Sequence, residues 1–164
     1  MKIVQVCSGV NGFGRGAESF CLSLAAELAN SGNEVLLVVG VNQLDSVPPT
    51  PISCETIPCV SNKLLRKLFF DYFNPKAYFK FRRLMKETKP DVVHLHSLYG
   101  ISSMLVRAAV NVAPTFVTFH DMWPVFYDPP KIKPNARFAN TWWKAPLGWC
   151  HRKINLFCFR NAAV

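Results

Sequence analysis

Residues 2–28 run from strand to glycine loop to helix, and few folds accept that order. Ile3-Val4-Gln5-Val6-Cys7 is a short apolar run of the kind that forms a buried strand. Ser8-Gly9-Val10-Asn11-Gly12-Phe13-Gly14-Arg15-Gly16 follows, with a glycine density that admits positive φ and close approach of a ligand to the backbone. Ala17 to Leu28 then repeats apolar residues at helical spacing. A strand that opens through such a loop into a helix points unpaired N–H groups at an anion. The stretch reads either as a cradle for a phosphate or sugar phosphate, or as a long connecting turn.

The rest of the chain repeats the alternation. Asn30-Ser31-Gly32-Asn33 is a helix stop, and Glu34 to Gly40 is a continuous apolar strand of the type found in parallel sheets covered on both faces. A proline-bearing loop over 41–52 leads to a short strand near Ser53–Ile57. Residues 63–88 read as helix broken near Asn74-Pro75, with Leu64, Leu65, Leu68, Phe69, Tyr72 and Phe73 on one apolar face and Tyr78, Phe79 and Leu84 on the next. Strands are expected at Lys89–Ser97 and Pro114–Asp121, and helices at Gly100–Val112 and about Leu147–Arg160. Ala162-Ala163-Val164 resembles the start of a further strand. The fold class expected is α/β, a doubly wound, mostly parallel Rossmann-like sheet in one domain of 164 residues.

The net charge of +9 is uneven. Residues 63–89 carry nine basic and two acidic groups, and residues 131–164 carry seven basic and none acidic. A cationic amphipathic helix over 63–89 suits an anionic membrane surface, or else a solvated face. No nucleic-acid motif accompanies the charge, so nucleic acid is not expected as a partner. No apolar run reaches the roughly 20 residues of a membrane span, and no signal segment precedes the first strand. The expected location is cytoplasmic, with a peripheral position on the inner membrane face open. Six cysteines without paired spacing read as mostly buried free thiols. A zinc site from Cys150, His151 and Cys158 fits no usual ligand spacing.

Ligands of open parallel sheets bind beyond the carboxyl ends of the strands. Three expected strands deliver polar groups there: the glycine loop, His96-Ser97 and His120-Asp121. His120, followed by Asp121 and the sharp exit Met122-Trp123-Pro124, is favoured as functional. His96 reads equally as functional or structural, and His94 as structural. His94 and His96 share a strand face, but no carboxylate at matching spacing completes a metal site, and none is expected. Gly12-Phe13-Gly14-Arg15-Gly16-Ala17 matches a dinucleotide fingerprint only loosely. Its first glycine comes late, and Gly40-Val41-Asn42 stand where an acidic residue belongs. A dinucleotide-binding oxidoreductase is therefore the weaker reading.

Gly14-Arg15-Gly16-Ala17-Glu18, Lys89 to Ser97 and Thr118-Phe119-His120-Asp121-Met122-Trp123-Pro124 together resemble the N-terminal domain of family-four retaining glycosyltransferases, in that family's order and at similar separations. Arg15 stands where the family has the first glycine of a pair. The resemblance implies one half of a GT-B architecture, the acceptor-side domain over 1–164. It assigns His120 a catalytic place near the transferred sugar and Gly14, Arg15, Gly16, Glu18, His96 and Asp121 to substrate binding. It implies a nucleotide-diphospho sugar as donor substrate, a glycan or lipid-linked acceptor, no separate cofactor, and a second, donor-binding domain that these residues do not contain. On that reading the chain alone is expected to be inactive. The alternative is a non-catalytic acceptor- or membrane-binding subunit that works with a separate donor-domain subunit.

Overall fold

The computed structural model describes residues 1–9, 16–41, 52–60, 62, 65, 69–120 and 145–163. Five strands form one all-parallel sheet: β1 (Lys2–Ser8), β2 (Glu34–Val41), β3 (Ser53–Pro58), β4 (Val92–Leu95) and β5 (Thr115–Val117), in the order β3-β2-β1-β4-β5. The helices set out among the described residues are α1 (Gly16–Asn30), α2 (Pro75–Thr88), α3 (Met104–Val110) and α4 (Ala145–Phe159). The expected Rossmann-like arrangement is what forms, and the strand order reverses direction between β1 and β4.

Side-chain alternation along the strands divides the core in two. Cys7, Val35, Leu37 and Val39 pack with Cys21 and Ala25 of α1. Val4, Val6, Val38, Ile57, Val93, Leu95 and Val117 face the other way, onto Ala77, Phe81 and Met85 of α2 and onto α3. The buried stripe of α2 is Ala77, Phe81 and Met85; of the apolar residues picked out at helical spacing, Tyr78 and Leu84 pack half-buried against that core and Phe79 is exposed. Tyr78 and Phe79 share the helix with the true stripe but lie one and two residues off it, a rotation that apolar character alone does not specify. Leu64, Leu68 and most of the first expected helical piece lie outside the described residues.

The break at Asn74-Pro75 is a helix start. Asn74 accepts a hydrogen bond from the Ala77 amide at 3.3 Å, and its own amide donates to Pro58 O at 3.1 Å and Gly100 O at 3.2 Å. The expected helix at Gly100 begins only at Met104. Gly100 and Ser102 have φ of 72° and 131°, and the Ser103 and Met104 amides donate to Asp71 O and Tyr72 O rather than to a preceding helical turn. β5 is likewise shorter than expected, closing at Val117. The chain end behaves as the sequence suggests. Ala163 bridges Phe116 in parallel, exchanging hydrogen bonds with Thr115 and Val117.

The cysteines are free thiols, and Cys7, Cys21, Cys59 and Cys158 are buried. Hydrogen bonding to Cys7 and burial hold the Cys21 thiol far above its ordinary pKa. Cys158 packs on Met104 Sδ at 3.5 Å, and burial pushes its pKa up to about 11; Cys150 is exposed. Among the described residues no helix is long and apolar enough to cross a membrane.

At the end of β2, a Cβ added to Gly40 would collide with Cγ2 of fully buried Ile101 and sit 3.5 Å from Ser8 Cα. Gly40→Ala is expected to cost about 1–3 kcal/mol by overpacking, read as a lower urea midpoint at unchanged slope. The loss should shrink in an Ile101→Leu background, which lacks that methyl.

Candidate functional site

The reversal of strand order opens a crevice at the carboxyl end of the sheet, where β1 leaves its neighbours. The Ser8 amide donates to Ser97 O beyond β4 at 2.9 Å, while the next amide, Gly9, donates to Gly40 O at the end of β2 at 2.7 Å. The Ser8 hydroxyl donates to Tyr99 O at 2.7 Å. The chain is thus held by neighbours on both sides up to the start of the glycine loop.

Three histidines line the adjoining surface on the α1 side of the sheet. His94 and His96 stack with ring centroids 4.1 Å apart, as their period-two spacing predicts, and His96 and His120 lie 5.4 Å apart. Phe20, in the second turn of α1, sets its ring edgewise against both His96 at 5.8 Å and His120 at 5.4 Å. The tips of β4 and β5 and the first turns of the glycine-loop helix therefore meet at one rim.

Hydrogen bonds order the stack. His96 is buried; its Nε2 lies 2.7 Å from Oε1 of Gln5, and its Nδ1 lies 3.2 Å from Nε2 of His120. The Gln5 side chain is buried in β1, and Oε1 only accepts, so His96 Nε2 carries the proton. Burial first, and then the neighbouring His94 and His120, lower the His96 pKa to about 3, so the ring is neutral and Nδ1 holds a lone pair. That lone pair accepts from His120 Nε2–H. In a neutral His120 this leaves Nδ1 as the acceptor on an exposed ring. His94 is held separately by Thr118 Oγ1 at 2.8 Å; burial and then His120 lower its pKa. It is the structural member of the set. The rings stack rather than converge, and no group of three metal-ligating side chains that could hold an ion is found among the described residues.

The other expected site residues fall as follows. Glu18 is buried in the first turn of α1, where a carboxylate suits the positive end of the helix. Gly16 opens α1, and a Cβ there would meet nothing within 4 Å. Gly14, Arg15 and Asp121 lie outside the described residues. Gln5, Phe20 and Thr118 were not singled out from the sequence. Gln5 carried a signal, being the polar residue inside an otherwise apolar buried strand. Phe20 carried none, since an aromatic on a helix is ordinary. The weak dinucleotide reading loses further ground at Gly40, whose position against Ile101 leaves no room for a side chain there.

A profile of Glycosyltransferase Family 4 matches residues 14–158. Among solved structures, sucrose-phosphate synthase from Thermosynechococcus elongatus superposes with a TM-score of 0.62 at 14% identity, over 98% of this chain and 40% of that one. The glycosyltransferase SsfS6 of Streptomyces sp. SF2575, solved with thymidine diphosphate, gives 0.49 at 14% identity, over 97% and 43%. The chain thus spans about two fifths of the length of the solved structures it matches. No curated protein matches significantly. At such identity the first likeness establishes the fold, a Rossmann-like half of a GT-B architecture.

The hydrogen-bond order is directly measurable. Nitrogen-15 spectra of histidine-labelled protein should show His96 and His120 as Nε2–H tautomers. Gln5→Met, which keeps the length but removes the acceptor, should mix the His120 tautomers, whereas Gln5→Glu should preserve them. An unchanged His120 in folded Gln5→Met would break the relay. Separately, because folded His96 binds its proton only near pH 3 and the unfolded residue near 6.5, stability is full above 6.5 and falls as pH drops toward 3. The contribution lost between pH 7 and 5 is about 2 kcal/mol, read from urea midpoints. His96→Asn should flatten that slope.

Proposed function

The chain belongs to Glycosyltransferase Family 4, and on that premise we propose that it is the acceptor-side half of a glycosyltransferase using a nucleotide-diphospho sugar. In the reaction the bond from the anomeric carbon to the donor phosphate breaks, a bond to an acceptor hydroxyl oxygen forms, and the hydroxyl proton leaves with the departing phosphate. The observation that carries this reading is the stack Gln5–His96–His120 beneath Phe20, at the rim where the glycine loop departs. Its outermost ring, His120, is exposed.

His120 Nδ1 is assigned to a hydroxyl of the transferred sugar, holding it while positive charge develops at the anomeric carbon. His96 is a positioning residue, buried and kept neutral. Gly14, Arg15, Gly16 and the start of α1 are assigned to phosphate, and Glu18 and Asp121 to polar groups around it. Donor binding falls mainly to a second Rossmann-like domain, on the same polypeptide or as a separate subunit. The acceptor is a glycan or a lipid-linked molecule. The basic segment 63–89 would hold the protein against an anionic, cytoplasmic membrane face. Leu65, Phe69, Phe73 and Phe79 are exposed there among Lys76, Lys80, Arg82 and Arg83, the mixture that suits a lipid interface.

In the enzyme assembled with its donor-binding domain, His120→Ala is expected to lower turnover by about 100-fold or more, as removal of one oriented polar group does. The Kd for the nucleotide sugar should change by less than about threefold, because that ligand is held mainly elsewhere. Wild-type turnover in the variant would remove His120 from the site. Tight binding of a reduced nicotinamide cofactor, followed by fluorescence, would return the dinucleotide reading to first place.

A further inference from the structure

A second opening lies on the other face of the sheet, away from the histidines. It is a cavity of about 720 Å³ at the carboxyl ends of β2 and β3, within the roughly 300–1,000 Å³ range of small-molecule sites. Its walls are mostly apolar, from Val41, Ile57, Pro58, Val60 and Phe70, and its edge carries Lys76 and Lys80 from the first turns of α2.

Those two lysines break a local rule. The N-terminal end of a helix favours acidic side chains, yet α2 has no acid in its first turn and places cations at Lys76 and Lys80, one turn apart. Neither ammonium has an ion-pair partner among the described residues. Arg83, on the next turn, is by contrast paired with Glu87 at 2.7 Å. Two exposed cations at a positive helix end run against its local preference, and a departure of this kind marks a functional position. The wall is also built rather than incidental, because buried Asn74 ties the start of α2 to Pro58 and Gly100.

The geometry points to a site for a lipid phosphomonoester, with its apolar chain in the cavity and its phosphate between Lys76 and Lys80. The charge matches, since a phosphomonoester carries about −1.5 to −2 at neutral pH against two ammonium groups. The apolar lining argues for a chain rather than a free anion. Phe69 and Phe79, on the same stretch of chain, are both exposed and supply apolar surface of the kind that contacts a bilayer. This deepens the membrane-facing part of the proposed function by naming the head group, and it makes no use of the histidine rim.

The test is titration of the full chain with dihexanoyl phosphatidic acid below its micelle concentration, followed by amide nitrogen-15 spectra. Saturable shifts are expected at residues 56–60 and 74–80. The double variant Lys76→Gln/Lys80→Gln, altered only at exposed positions, should weaken binding about tenfold or more. Dihexanoyl phosphatidylcholine should produce no such shifts. Equal shifts from inorganic phosphate would reduce the site to a free-anion site and overturn the proposal, as would wild-type affinity in the double variant. Vesicle sedimentation separates the two readings. Vesicle binding by the unaltered chain, without phosphatidic acid shifts, keeps the membrane surface and sinks the pocket. Phosphatidic acid shifts without vesicle binding do the reverse.

Discussion

Everything at the candidate site depends on how β1 ends. Two consecutive amides, Ser8 and Gly9, bond to carbonyls on opposite sides, Ser97 beyond β4 and Gly40 on β2. Successive amides of a central strand face opposite neighbours, so these two bonds carry the ladder with both partners up to the last residue before the glycine loop, and they set where that loop departs relative to the end of β4. Gly40 is part of the same constraint. Its missing side chain lets Ile101 close over the end of β2, which connects the departure of β1 to the packing of the loop before α3.

Below that opening, polarity is conducted inward in a definite direction. Gln5 sits in the middle of an apolar strand and is buried, a placement that costs free energy unless its amide is bonded. Its partner is a buried imidazole, which is itself bonded to an exposed one. Burial keeps the middle ring uncharged, so the chain of bonds transmits orientation rather than charge. An exposed histidine acquires a defined tautomer because of a residue in the core. Phe20 covers both rings edgewise and joins α1 to the same unit.

The two faces of the sheet carry different chemistry. The α1 face has the imidazoles and the glycine-loop helix. The α2 face has the basic segment, its exposed aromatics and the cavity edged by lysines. The sheet itself keeps the neutral imidazole stack and the lysine-edged cavity apart, so a ligand at one meets none of the side chains of the other.

Much of this was legible in the residues themselves. The continuous apolar run at 34–40 suits a parallel sheet covered on both faces, and Asn74-Pro75 can only interrupt a helix, since proline lacks the N–H that a preceding turn would use. Period two alone stacks His94 on His96. Other features were decided by packing. Whether Phe79 or Phe81 is buried is a matter of helix rotation, set by what β3, β4 and α3 present to α2. The helix expected from Gly100 starts four residues late because the Ser103 and Met104 amides donate to the Asp71 and Tyr72 carbonyls, some thirty residues away. Gln5 and Phe20 join the site through partners 91 and 100 residues distant in the chain, His96 and His120, and no local pattern encodes such a meeting. The sequence by itself determined the alternation of strand and helix and the residue types at the strand ends, because those follow from periodicity and backbone chemistry. Only the tertiary structure decided which of those ends touch and which nitrogen faces outward, because both depend on hydrogen bonds between segments that are neighbours in space alone.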